Sequence, residues 1–229
     1  MLVSLALLSI VLACAYGVYT GRISIPDEWN PWAPLRIDEP LHWLTRMKLA
    51  RLSTDETLCL SVLEKARMRY QPVPDRETGP GCGFDNAVRI ERTSINVGEP
   101  FTLSCRSAVA LALWEHHVVH PVAQTHFSER VVRIEHFGSY ACRNVYNRED
   151  GSLSRHATAD AIDIAGFVLA SGRRISVQRD WTSGDSDGQF LRDLRDGACR
   201  VFDSVLGPEY NAAHRNHLHL DRGGYRVCR

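Results

Sequence analysis

Apolar positions along the chain change their period several times, and each change marks an element. Met1 to Gly21 has no charged side chain and is mostly Leu, Val, Ile and Ala, with the first charge at Arg22. About 20 apolar residues suffice to span a bilayer, so this run reads first as a membrane anchor. Two further readings stay open: a signal peptide cleaved after Ala13-Cys14-Ala15, which has the small-x-small form, and a lipid-modified Cys14. Pro26 to Pro40 is rich in Pro and Trp and reads as a tether or a strap lying on the domain; its tryptophans suit a membrane interface or a protein surface equally. Residues 42–52 and 54–70 carry helical spacing, with Leu58, Leu60, Val62, Leu63 and Ala66 on one face and Thr54 or Asp55 as cap. Residues 72–83 hold P-V-P-D-R and G-P-G-C-G and read as turns.

Beyond them, residues 88–95 predict a strand and 103–122 a helix. Short strands are expected at 131–134 and 138–142, and a hairpin at 162–169 and 174–177 around Ala170-Ser171-Gly172-Arg173. Phe190, Leu194, Ala198, Val201, Phe202 and Val205 predict a helix capped by Asp187 and stopped at Gly207-Pro208. In residues 216–221, Leu218 and Leu220 alternate with His217 and His219, which is strand period and sets both imidazoles on one face, roughly 6–7 Å apart at Cα. The expected fold class is α+β: a small central antiparallel sheet with packed helices, stapled by disulfides. Three stretches are expected: 1–21 as anchor or signal, 22–80 as tether and helical lead-in, and 81–229 as the main domain.

Composition narrows the partners. The 229 residues are 44% hydrophobic and 24% charged, ordinary for a globular chain. Lys+Arg and Asp+Glu are both 27, so the basic footprint of a nucleic-acid binder is missing. No Gly-rich phosphate loop is present, which argues against a nucleotide. Apart from Cys14, six cysteines are dispersed without a C-x-x-C pair, and behind an export segment they read as three disulfides in an oxidising compartment. Fifteen pairings are possible; one of them, Cys199 with Cys228, would tie the C-terminal tail to the helix before it.

The chemistry concentrates in Ser154 to Asp163 (S-R-H-A-T-A-D-A-I-D) and His214 to Asp221 (H-R-N-H-L-H-L-D). Together they hold His156, Asp163, His214, His217 and His219, the nitrogen and carboxylate donors of a catalytic zinc site. His116, His117 and His120 lie on the predicted helix, with His116 and His120 as an i, i+4 pair, and read as solvated helix-face residues rather than a metal site.

Ser-x-His, the Ala and Asp that follow, and the later His-x-His resemble the D-alanyl-D-alanine metallopeptidases, within the group that also holds lysostaphin-type endopeptidases and hedgehog signalling domains. Over residues 27–229 the chain more closely resembles the bacterial extensin-like C-terminal domain family, through N-P-W-A-P-L, G-P-G-C-G, Y-x-C-R, S-x-H-A and the ending G-P-x-Y-N-x-x-H-x-x-H-x-H-x-D. The resemblance implies Zn²⁺ held by His156, Asp163 and His219, with His217 as general base or transition-state stabiliser and His214 assisting it. It implies that Arg143 holds a substrate carboxylate or the oxyanion. Asp160 and Asp221 are expected either to orient ligand imidazoles or to sit in solvent.

Ala159 stands where these peptidases usually carry Gly, a swap that is tolerated unless the backbone there needs positive φ. No Glu occurs between Asn211 and Arg229 to act as base, so the murein endopeptidase branch, which uses histidines, is the better match. The implied function is a zinc peptidase acting on peptidoglycan stem peptides or cross-links in the periplasm or cell envelope, joined to the membrane by the N-terminal segment. The rival readings are a zinc-binding wall module without turnover, as the hedgehog likeness suggests, and a structural envelope protein that binds no metal.

Overall fold

A computed structural model describes residues 2–229, with Met1 outside them and side chains described from residue 4 onward. The apolar N-terminus forms helix α1, Leu2–Tyr19, whose described apolar side chains from Leu5 to Tyr19 include many exposed ones, Leu7, Ile10, Val11 and Leu12 among them. Among the described residues no helix is long and apolar enough to cross a membrane. The expected span is therefore not found: the 18 residues of α1 rise only about 27 Å, against a hydrocarbon core of about 30 Å.

The segment at 26–40 is a strap. Lys48 donates to the Asp27 carbonyl at 2.7 Å, Arg51 to that of Pro31 at 3.0 Å, and Leu35 is buried. Of its two tryptophans Trp32 stays 77% exposed, while Trp29 stacks on the His42 ring at 4.9 Å. Helix α2 (Trp43–Arg51) is capped by His42, and α3 (Glu56–Leu63) by Asp55, whose carboxylate accepts from Leu58 N–H. The second helix ends earlier than its apolar spacing suggests. Residues 69–73 form strand β1 instead, an edge strand where Pro72 costs no ladder bond.

The turn-rich stretch contains a small hairpin of β2 (Arg76–Gly79) and β3 (Cys82–Phe84). Strand β4 (Ala87–Arg92) lies between β1 and β5 (Phe101–Ser104) in an antiparallel three-stranded sheet. The predicted helix at 103–122 proves composite. Its first residues belong to β5, then come α4 (Cys105–Trp114), a π-helical turn at Glu115–Val119, and α5 (His120–Phe127). His116 is exposed as expected, but His117 and His120 are half-buried, their Nε2 atoms bonding the Ile37 carbonyl and Ser94 Oγ, each at 2.8 Å.

The main sheet has the order β11-β9-β10-β7-β6, with β8 also pairing β7. Its strands are β6 (Val131–Gly138), β7 (Ala161–Leu169), β8 (Arg174–Ser176), β9 (Ser204–Leu206), β10 (Leu218–Asp221) and β11 (Val227–Cys228). All pairs are antiparallel except β11 with β9. The expected hairpin of β7 and β8 is present, but 138–142 forms no strand beyond Gly138. After the short α6 (Val177–Asp180), α7 covers Ser186–Ala198, capped by Asp185 rather than Asp187, and the residues predicted to extend it turn off into β9. Arg46 donates to the carbonyls of Cys199 and Phe202, satisfying the chain where the helix stops.

One buried cluster runs from Leu35 through Trp114, Phe167 and Phe190 to Leu220, joining helices and sheets. Three disulfides form: Cys59–Cys105 within this cluster, Cys82–Cys142, and the expected Cys199–Cys228. The architecture is mixed α+β, with small antiparallel sheets and packed helices.

Candidate metal site and its cleft

His156 stands on a 3₁₀ turn, Arg155–Thr158, whose cap Ser154 accepts the His156 N–H. The turn is held on its other side by Ala141 N–H donating to the His156 carbonyl and Ser154 N–H to that of Arg143. It ends on Ala159 at φ 53°, ψ 26°. Positive φ is therefore required at the very position where Gly is expected, and Ala bears the left-handed strain, on the order of 1 kcal/mol.

Asp163 lies on β7 and His219 directly opposite it on β10. Three ligand atoms converge: His219 Nδ1 is 2.9 Å from Asp163 Oδ1 and 3.2 Å from His156 Nε2, and His156 Nε2 is 3.2 Å from Asp163 Oδ1. All three side chains are buried, and the group can hold a metal ion. Each imidazole has its other nitrogen engaged. His156 Nδ1–H donates to the Ser139 carbonyl, and His219 Nε2–H to Asp221 Oδ2 at 3.0 Å. Those bonds leave the lone pairs of His156 Nε2 and His219 Nδ1 aimed at one point.

Electrostatics follow from burial and these bonds. Burial works to raise the Asp163 pKa, but hydrogen bonds with His156 and His219 hold it well below the usual carboxylate range. His219 is opposed by burial yet raised to about 9 by Asp163 and Asp221. His214 is pushed down to about 4 by burial, helped by His219 and His217, and His217 is lowered by burial as well. The latter two imidazoles are thus neutral at pH 7.

Both neutral histidines are oriented by asparagines. His217 Nδ1 meets Asn216 Oδ1 at 2.9 Å, which turns Nε2 toward Asp163 Oδ1 at 3.4 Å. His214 Nδ1 meets Asn211 Oδ1 at 2.8 Å, and Asn211 Nδ2 donates in turn to the Tyr146 hydroxyl at 2.8 Å. The rings of His214 and His217 lie 5.2 Å apart, and the exposed Phe137 packs edge-on to His217 at 5.8 Å. Arg143 lines the same cleft, close enough for its charge to depress His217, and its guanidinium has no side-chain or backbone partner among the described residues.

Arg143, His156, Asp163, His214, His217, His219 and Asp221 thus border one cleft of about 660 Å³. A family model described as Extensin-like protein C-terminus matches residues 57–229, well over half of the chain. The chain belongs to the extensin-like family. No curated protein and no solved structure matches it.

In this extensin-like domain the two aspartates beside the ligands part company. Asp221 orients His219, whereas Asp160 turns away to pair with Arg106 in two bonds of 2.9 and 3.0 Å and to accept from Ser104 and Thr158. Sequence reasoning missed the Ser139 carbonyl, the two asparagines and the aromatic wall of Tyr146, Tyr210 and Tyr225. Only Asn211 and Asn216 carried a local signal, as polar residues flanking the histidine cluster.

Proposed function

We propose that this extensin-like domain is a zinc-dependent peptidase that cuts amide bonds in peptidoglycan stem peptides or cross-links. One observation carries the reading: three buried donors, two neutral-capable imidazoles and a carboxylate, form a triangle with edges of 2.9–3.2 Å beside an open cleft. A tetrahedral zinc bonded at about 2.0–2.1 Å separates its ligands by about 3.3 Å, so the donors fit with slight opening. Zinc in such a set supplies Lewis acidity, which lowers the pKa of a water toward about 7.

The chain's own groups account for the remaining chemistry. His217 is neutral, and with Nδ1–H held by Asn216 it offers the Nε2 lone pair as a general base at the site. His214, fixed by Asn211, stands next to it and is suited to passing a proton toward the leaving amine. Arg143, free in the cleft, is suited to a peptide carboxylate or the developing oxyanion. D-Ala-containing substrates, and kinship of the fold with D-Ala-D-Ala peptidases and hedgehog domains, belong to the same proposal. The three disulfides favour an oxidising compartment, the periplasm or cell envelope, with α1 as export signal or membrane attachment.

The aromatic wall of Tyr146, Tyr210 and Tyr225 gives the rival reading some footing, because such a platform also suits wall binding without turnover. Incubating the zinc-loaded protein with purified sacculi separates the two. Release of soluble muropeptides supports the peptidase; pelleting with sacculi and no release supports the binding module.

A further inference from the structure

A second cleft, about 420 Å³, lies behind the metal site. Arg46 from α2, Arg106 from the first turn of α4, Arg155 from the 3₁₀ turn and Arg222 from the end of β10 converge on it, with Asp203 as its only acidic wall residue. Asp203 Oδ1 accepts from Arg46 and from Arg222, the latter at 3.1 Å, and Arg106 is spent on Asp160. Four guanidiniums thus face two carboxylates.

Two donors remain unused. Arg222 is only 5% exposed, yet its Nε has no partner. Arg155, exposed at the mouth of the cleft, makes no ion pair or side-chain hydrogen bond among the described residues and lies across Gly223, where a Cβ would fall 2.0 Å from Arg155 Nε. Leaving a buried guanidinium N–H unmet is costly, and a site built so has room for an acceptor.

We propose that this arginine cleft binds a tetrahedral oxyanion of the phosphate type. Donors arriving from four elements suit a tetrahedral anion better than a planar carboxylate, which one bidentate arginine satisfies. Burial lowers the pKa of Arg46 and of Arg222 despite Asp203, whereas Asp160 raises that of Arg106 against burial. Arg155 and Gly223 also line the metal cleft, so the two sites share a wall.

Inorganic phosphate titrated calorimetrically into the full-length protein is the test, with glycerol phosphate as a second probe. One saturable site is expected, weakened about tenfold in Arg155→Gln, whose lost side chain ties nothing else together. Tighter glycerol phosphate would assign the anion to an ester on a larger molecule, and tighter inorganic phosphate to the free ion; either supports the site. Absence of saturable binding overturns it. So does phosphate binding that survives Arg155→Gln but disappears in His219→Ala, because the anion would then sit at the metal. Zinc content of Arg155→Gln should equal wild type, which keeps this test separate from the peptidase reading.

Discussion

Asp163 and His219 are direct partners across β7 and β10, with His219 Nδ1 2.9 Å from Asp163 Oδ1. Antiparallel register alone brings these residues, 56 positions apart, onto one face of the sheet. A slip of one residue would turn His219 to the opposite face, so the apolar pattern that fixes the register also fixes the metal site. Leu218 and Leu220, fully buried on the alternate positions, hold it.

Asp221 should matter to the metal through His219, its other oxygen accepting the Gly223 N–H at 2.8 Å. Its carboxylate fixes the ring so that Nδ1 faces the other ligands. Asp221→Ala is expected to weaken zinc binding about 10–100-fold, the usual cost of losing such a partner. Competition titration against a zinc chelator measures it, and an unchanged affinity would remove Asp221 from the site.

His217→Ala should separate binding from turnover. Muropeptide release is expected to fall about 10²–10⁴-fold, the typical worth of a general base, with zinc content unchanged. Intact hydrolysis in that variant would end the role assigned to His217. Asn216→Ala should have the same direction and a smaller size, since it frees the ring without deleting it.

How far such residues can be read from sequence depends on how local their geometry is. The His-x-His pair was legible in part: β10 begins at Leu218, so His217 lies just before the strand expected over 216–221, although both rings reach Asp163; the β7–β8 hairpin was legible because its turn residues are adjacent. The end of α7 was hidden: Val201, Phe202 and Val205 keep helical spacing, yet the chain leaves the helix where Arg46, far away in sequence, takes up its carbonyls. Strand β1 was masked by Pro72, tolerated only because β1 is an edge. The Ser139 carbonyl behind His156 and the hydroxyl of Tyr146 beyond Asn211 meet their partners only through tertiary structure. For Ala159, composition gave the residue but not its dihedral.

Glu115, 1% exposed beneath the π-helical turn, makes stability depend on pH. Burial raises its pKa from 4.5 to about 7 against hydrogen bonds from Ser94 and Thr93. Between those values the folded chain keeps a proton that the unfolded chain has released, so stability falls as pH rises, by about 3 kcal/mol, and is level outside the window. Glu115→Gln should lack this component. Urea unfolding at pH 4.5 and 7.5 should show wild type losing about 3 kcal/mol relative to the variant; parallel behaviour would contradict the assignment.

The Cys199–Cys228 bond ties β11 back to the end of α7, closing a separation of 29 residues. The double variant Cys199→Ser, Cys228→Ser is expected to lose about 2–4 kcal/mol in urea unfolding while retaining the metal site, none of whose ligands it touches. Stability within 0.5 kcal/mol of wild type would show that β11 holds without the bond.

The central claim is that His156, Asp163 and His219 bind zinc. Its most direct test is metal content by mass spectrometry, comparing wild type with His219→Ala after purification without chelator and zinc reconstitution. About one zinc per chain is expected in wild type, and its loss in the variant. A folded wild-type protein that takes up no zinc, or a His219→Ala variant that keeps it, would rule out this metal site.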